Sequence, residues 1–264
     1  MPAPGLGTML LSTIWHSNYA SDSCGYAFGG TVGYLQDNGA LRFGTFSLPT
    51  TAAGPSMAYD SIHHGEVIEL EFQHQILQAQ KPPMTMRFLV FRNSAPMGNF
   101  RDALAASSTP DVTTVRRPTS KAGLCFNAEQ AIADGGATGI FFRAGMNDGK
   151  SESYGFADAD RTISFGGQIS GSRWNRKEDA AAIAIGFSGL SSSHQAYLAA
   201  GGLGLNLGEG RLSYGPESVL EADYSRAITP RLTGSLDFQR VRNPGYNRDR
   251  GPTLVIAARL HYSF

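Results

Sequence analysis

The sequence predicts an all-β fold, an antiparallel β-barrel that crosses a membrane. Three observations predict it. Apolar and polar residues alternate along one segment after another, the connections between those segments alternate in length, and glycine is scattered singly through apolar stretches. The 264 residues include 32 Gly, without the strict period of collagen or the clustering of a flexible linker. Dispersed glycine among aromatics suits a sheet that must bend and twist.

The segments, taken in chain order, show the alternation with varying clarity. Ranges 26–35 and 40–48 fit loosely. Range 66–78 sets Ile68, Leu70, Phe72 and Ile76 against Glu69, Glu71, Gln73 and Gln75. Range 84–93 sets Met86, Phe88 and Val90 against Thr85 and Arg87. Ranges 121–134 and 136–146 are again loose. Range 162–172 sets Ile163, Phe165 and Ile169 against Ser164, Gln168 and Ser170, and 179–188 is loose. Range 218–228 sets Leu220, Ala222 and Tyr224 against Glu221, Asp223 and Ser225. Range 231–241 sets Leu232, Gly234, Leu236 and Phe238 against Thr233, Ser235, Asp237 and Gln239. The last, 253–264, is the clearest: Leu254, Ile256, Ala258, Leu260, Tyr262 and Phe264 form one face, and Thr253, Val255, Ala257, Arg259, His261 and Ser263 the other. A period of two at this length matches a tilted strand that crosses a bilayer. This gives about eleven strands, with room for one more before Trp15. The expected organisation is a single domain, irregular over 1–24 and stranded over 25–264.

Connection lengths supply an independent test. Stretches 36–39, 80–83, 133–136, 174–178 and 228–231 are short, whereas 49–65, 94–120, 147–160 and 189–217 are long, in strict turn. Transmembrane barrels have tight periplasmic turns and long extracellular loops, and a sandwich or propeller has no reason to sort its connections this way. A chain ending on Phe264, with Tyr262 two residues earlier, also looks like the C-terminal signal read by the barrel-assembly machinery.

Composition narrows the function. Charged residues make up 17 % against roughly 25 % in soluble domains, and hydrophobic residues 41 %. Zero net charge argues against a nucleic-acid partner recruited by bulk electrostatics. No apolar run approaches the roughly 20 residues of a membrane-spanning helix. Met1 to Leu11 lacks the basic region and apolar length of a secretory signal, so a signal peptide is expected to be absent from this chain. Cys24 and Cys125 form no CxxC pair and read as two free thiols.

With apolar faces toward lipid, the opposite faces line the interior. That places Arg42, Glu69, Glu71, Arg87, Arg143, Glu221, Asp223, Asp237 and Arg259 inside as candidate pore-lining residues. A basic residue at the bilayer midplane on the outer face would cost roughly 2–4 kcal/mol, so charges belong within. The two signs fall on neighbouring strands. They either hold the wall in shape as ion pairs or offer donors and acceptors to sugar hydroxyls, and spacing alone does not choose. Catalysis finds little support. His63 and His64 lack a third ligand at a zinc spacing, His194 beside Ser191–Ser193 is adjacency rather than triad geometry, and Gly201, Gly202 and Gly204 lie in no βαβ unit. No metal, cofactor or enzymatic activity is expected.

Several stretches resemble one family. Gly201 to Leu205 running into Gly208 to Glu217, Asn243 to Pro252, Ile68 to Glu71 followed by Arg87 to Asn93, and Asn99 to Leu104 are similar to the carbohydrate-selective porins of the OprB type. The likeness extends from about Trp15 to Phe264 and is weakest over 110–117. The resemblance implies an outer-membrane barrel of about sixteen strands in a Gram-negative bacterium, with passive diffusion of sugars through its lumen. Fewer strands are read here, so the chain is expected to be the C-terminal portion of such a barrel. The expected partners are sugars, outer-membrane lipids and the assembly machinery, with homo-oligomerisation left open. The rival readings are a channel for organic or general solutes and a soluble β-rich carbohydrate-binding protein.

Overall fold

In the computed structural model, residues 28–264 are described, apart from 53, 55, 77–81, 155–157 and 205–206. Eleven strands follow one another in a single antiparallel sheet whose spatial order is the chain order. They are β1 (Gly29–Gln36), β2 (Gly39–Ser47), β3 (His64–His74), β4 (Met84–Gly98), β5 (Arg116–Ala133), β6 (Thr138–Asn147), β7 (Arg161–Ser170), β8 (Ala180–Gly189), β9 (Glu217–Thr229), β10 (Leu232–Arg242) and β11 (Thr253–Tyr262). Two short helices stand in the connections, α1 (Phe100–Ala106) and α2 (Ser192–Ala199). No helix among the described residues is long and apolar enough to cross a membrane. Among the described residues each strand pairs with its sequence neighbours and β1 does not pair with β11, so the described sheet is an unclosed wall. The extra strand before Trp15 and Cys24 lie outside the described residues.

The sheet has no buried core of its own on the apolar side. Leu254 is 62 % exposed, Ile256 79 % and Leu260 75 %. On the other strands Ile68, Leu70, Phe88, Leu124, Ile140, Ile163, Phe165, Ile183 and Leu236 are likewise exposed. A soluble sheet would bury this face; here it is a continuous apolar exterior, as lipid requires.

The connections sort by length as the sequence indicates. On one end they run 37–38, 75–83, 134–137, 171–179 and 230–231; on the other, 48–63, 99–115, 148–160, 190–216 and 243–252. Every member of the second set is longer than every member of the first. Local chemistry accounts for the tight ones. The turn after β5 puts Asp134, Gly135 and Gly136 at positive φ, where glycine is free and aspartate tolerated. After β9, the Thr229 hydroxyl accepts from the Arg231 and Leu232 amides.

Three boundaries differ most from the sequence reading. The expected strand 66–78 ends at His74, so Gln75 and Ile76 fall in the connection 75–83. The expected loop 94–120 shrinks to 99–115, because β4 and β5 continue paired out to Gly98 and Arg116. The expected turn 174–178 widens to 171–179, because Gly171–Trp174 winds into a 3-10 turn that ends on Asn175 in the left-handed region. The two helices, α1 and α2, stand within the long connections 99–115 and 190–216. Both helices are capped from their own sequence: the Asn99 side chain accepts from the Arg101 amide and the Ser191 hydroxyl from the His194 amide.

Candidate functional site

The inner face of the wall is built by parity. Because β2 to β6 alternate, Arg42, Glu69, Glu71, Arg87 and Arg143 project to the side opposite the apolar exterior, and register places them in a row. Arg42 on β2 stands opposite Glu69 on β3, and Glu71 opposite Arg87 on β4. Arg42 reaches Glu69 at 2.6 Å and Glu71 at 3.1 Å, and the Nε of Arg87 donates to Glu71 at 2.8 Å. The row continues through Glu129 on β5, 3.7 Å from Arg87 and 3.8 Å from Arg143 on β6. The sequence reading missed Glu129, because range 121–134 mixes small and apolar residues on both faces. Its signal was parity: Arg87 and Arg143 are each in register with Asn127, and Glu129 lies two residues along the same face.

Arg143 terminates the row in a half-apolar pocket. Its guanidinium lies over the Phe141 ring, 4.4 Å from the centroid. Phe141 turns inward, against the outward trend for aromatics, and packs with Ala184 and Val219. Room for it comes from Gly166 opposite in register, where a Cβ would come within 2.6 Å of the Ala184 side chain and 2.8 Å of the Phe141 ring. The remaining candidates share the inner face on β9–β11 outside this row. Gln239 donates to the buried Glu221 at 3.4 Å, Asp223 stands opposite Asp237, and Arg259 stands opposite Ser235.

A long connection lies back over this inner face. Residues 151–154, in the connection between β6 and β7, lie against the inward side chains of β5, β4 and the end of β2. Lys121 on β5 is fully buried there, and its ammonium donates to the Ser151 carbonyl at 2.8 Å and toward the Glu152 carbonyl at 3.4 Å. Glu152 accepts from the Gly98 amide and pairs with Arg116 at 2.6 Å. Tyr154 packs with Leu48, Ala95 and Met97, all inward-facing, and burial pushes its phenol up to about 12. The loop therefore narrows the space inside the wall near its long-connection end.

A packed cap joins the long connections to each other. Phe100 and Ala103 of α1, Val112, Ala159, Leu190, Tyr197 and Leu198 of α2, Leu207 and Tyr246 share one apolar cluster. His194 stacks on Phe100 with ring centroids 4.2 Å apart and meets Asp160 at 3.0 Å, both side chains buried. Burial alone would raise the Asp160 carboxyl. The His194 contact, the Lys121 charge and the Ser191 amide outweigh it, and its pKa is held below the usual value. The neighbouring serines point elsewhere: Ser191 and Ser193 both donate to the Gly149 carbonyl, so no hydroxyl is poised on the imidazole. His63 and His64 also part, toward Asp60 and Glu66 respectively. The two motif-bearing stretches clasp one another beside this cap. Gly215 donates to the Tyr246 carbonyl, Arg248 to that of Ser213, Asn243 to that of Pro216, and the Gly245 amide to Glu217.

An apolar exterior, a charged inner face, an inward-lying loop and length-sorted connections define the wall of a transmembrane β-barrel. The sequence matches the pattern of the carbohydrate-selective porin, OprB family, over residues 8–264, and the chain belongs to that family. Among solved structures it is similar to a high-pH structure of Pseudomonas putida OprB, with a TM-score of 0.70 at 16 % identity. The similarity covers 90 % of this chain and 59 % of that one, so the chain spans about three fifths of its length. No curated protein matches the chain in sequence.

Proposed function

We propose that this chain forms part of the wall and the constriction of an outer-membrane channel of a Gram-negative bacterium, through which sugars diffuse passively. The observation that carries the proposal is the row Glu69–Arg42–Glu71–Arg87–Glu129–Arg143. Its carboxylates and guanidiniums balance in charge, so it favours neither cations nor anions strongly. Both groups bind vicinal hydroxyls well, the one accepting and the other donating. Arg42 and Arg87 are partly exposed, at 36 % and 32 %, so their pairs contribute only about 0–1 kcal/mol each to stability. Glu221, Asp223, Asp237 and Arg259 extend the polar lining to β9–β11. The exposed C-terminal Phe264 is the segment offered to the barrel-assembly machinery, and membrane lipids cover the apolar face.

Liposome swelling with neutral mono- and disaccharides against size-matched organic anions tests the reading. Faster entry of the sugars is expected. Equal or faster entry of the anions turns the assignment to a general or organic-solute channel, and a chain that stays in solution without detergent removes the barrel reading altogether.

A further inference from the structure

The outer face of β10 changes character along its length. From the short-turn end its outward residues are Leu232, Gly234, Leu236 and Phe238, with Leu236 63 % exposed. The next two outward positions are Arg240 and Arg242, both exposed. Arg240 stands in register between Leu220 of β9 and Leu254 of β11, and Arg242 opposite Ser218. None of these flanking positions is acidic. Among the described residues neither guanidinium makes an ion pair or a side-chain hydrogen bond. Of the other outward arginines, Arg92 donates to the Ser120 hydroxyl and Arg161 to the Leu190 carbonyl, while Arg226 lies on β9 toward the short-turn end, opposite Gly234.

A guanidinium facing acyl chains is costly at the midplane and nearly free at the interface. Arg240 and Arg242 sit at the end of β10 that carries the long connections, immediately above the apolar strip, and their stems are long enough to lift the charged heads to the headgroup level. The two are about 7 Å apart along the strand, and each fork matches a phosphate through paired N–H bonds.

We infer that Arg240 and Arg242 form a binding site for the phosphate of a lipid headgroup in the outer leaflet. The strip beneath them fixes a lipid as the occupant: acyl chains lying along Leu220, Phe238 and Leu254 bring an attached phosphate level with the two forks. The inference rests on the barrel reading for the direction in which this face points.

Native mass spectrometry of the detergent-folded chain with bisphosphorylated lipid A tests it, with dephosphorylated lipid A and inorganic phosphate as comparators. The phosphorylated lipid is expected to remain bound, to bind at least about tenfold more weakly to the Arg240→Gln/Arg242→Gln variant, and to bind at intermediate strength to Arg240→Lys/Arg242→Lys, whose ammonium groups lack the fork. Both side chains are exposed, and a heat-modifiable gel band verifies that each variant is folded. The site is lost if the Gln variant holds the lipid as tightly as the parent, or if the dephosphorylated lipid binds equally well. Displacement by inorganic phosphate alone at matched concentration makes it a free-anion site and overturns the lipid assignment. Sugar entry into liposomes should be the same for all three proteins. If sugars fail to enter while the lipid difference stands, the channel reading falls and the lipid site remains.

Discussion

The ammonium of Lys121, fully buried on the inner face of β5, donates at 2.8 Å to the Ser151 carbonyl of the loop that follows β6. One side chain thus ties the inward-lying loop to the wall, in a place where the carboxylates of Asp160 and Glu152 need a cation nearby. Lys121→Met keeps the length of the side chain and removes the charge. The loss of a buried charged partner should cost about 3–5 kcal/mol. The loop should come away from the wall, so single-channel conductance is expected to rise while the folded gel band is lost at a lower temperature. Unchanged conductance in a folded variant would show that Tyr154 and Glu152 hold the loop without Lys121.

Glu129 separates two arginines that would otherwise face each other across the inner row. Glu129→Gln preserves shape and removes one negative charge. The reversal potential in a salt gradient is expected to shift toward anion preference, with neutral sugar flux within about twofold of the parent. Stability should change by less than about 1 kcal/mol, since the Glu129 side chain is 26 % exposed. A reversal potential that does not move would place Glu129 off the conduction path.

The wall was legible in the sequence, and the inner loop was not. Leu254, Ile256 and Leu260 could be assigned to the exterior because lipid tolerates only one face of an alternating strand, and alternation is local. Arg42, Glu69, Glu71, Arg87 and Arg143 followed from the same parity. The burial of Lys121 did not. It depends on Ser151 and Glu152 crossing over from the connection after β6, a contact between parts of the chain that no period reveals. The inward direction of Phe141 was not legible for a related reason: it is set by the space above Gly166, and a lone glycine in a strand does not say which neighbour it admits. The stretch 243–252, conspicuous as a motif, turned out to clasp 211–217 rather than to line the inner row.

Gly123 on β5 lies under the inward Phe91 ring, and a Cβ there would overlap both that ring and the Met146 carbonyl. Gly123→Ala is expected to destabilise the wall by about 1–3 kcal/mol through overpacking. Phe91→Leu in the same chain should recover part of the loss by withdrawing the ring, while the Met146 carbonyl keeps the remainder. The urea midpoints of the single and double variants decide it; a double variant no more stable than Gly123→Ala would assign the whole effect to the backbone clash.

The short connection between β7 and β8 contains a polar staple with a defined pH response. Asp179 accepts from the Nε of Arg176 at 2.5 Å, from the Tyr224 hydroxyl at 2.6 Å and from the Ala227 amide at 3.0 Å, tying this turn to β9. The Arg176 contact first, then Tyr224, holds its carboxyl at about 2 against an ordinary 3.8. A carboxyl depressed in the folded state stabilises that state above its unfolded value and loses the contribution as the pH falls through the folded one. Asp179→Asn should therefore lower the melting temperature at pH 7, and the gap from the parent should begin to close below pH 4 and vanish near pH 2. Tyr224→Phe, which removes one donor and keeps the ring packed on Trp174, should show a smaller gap over the same window. A gap of constant size from pH 7 to pH 2 would mean that the turn depends on the shape of Asp179 rather than on its charge.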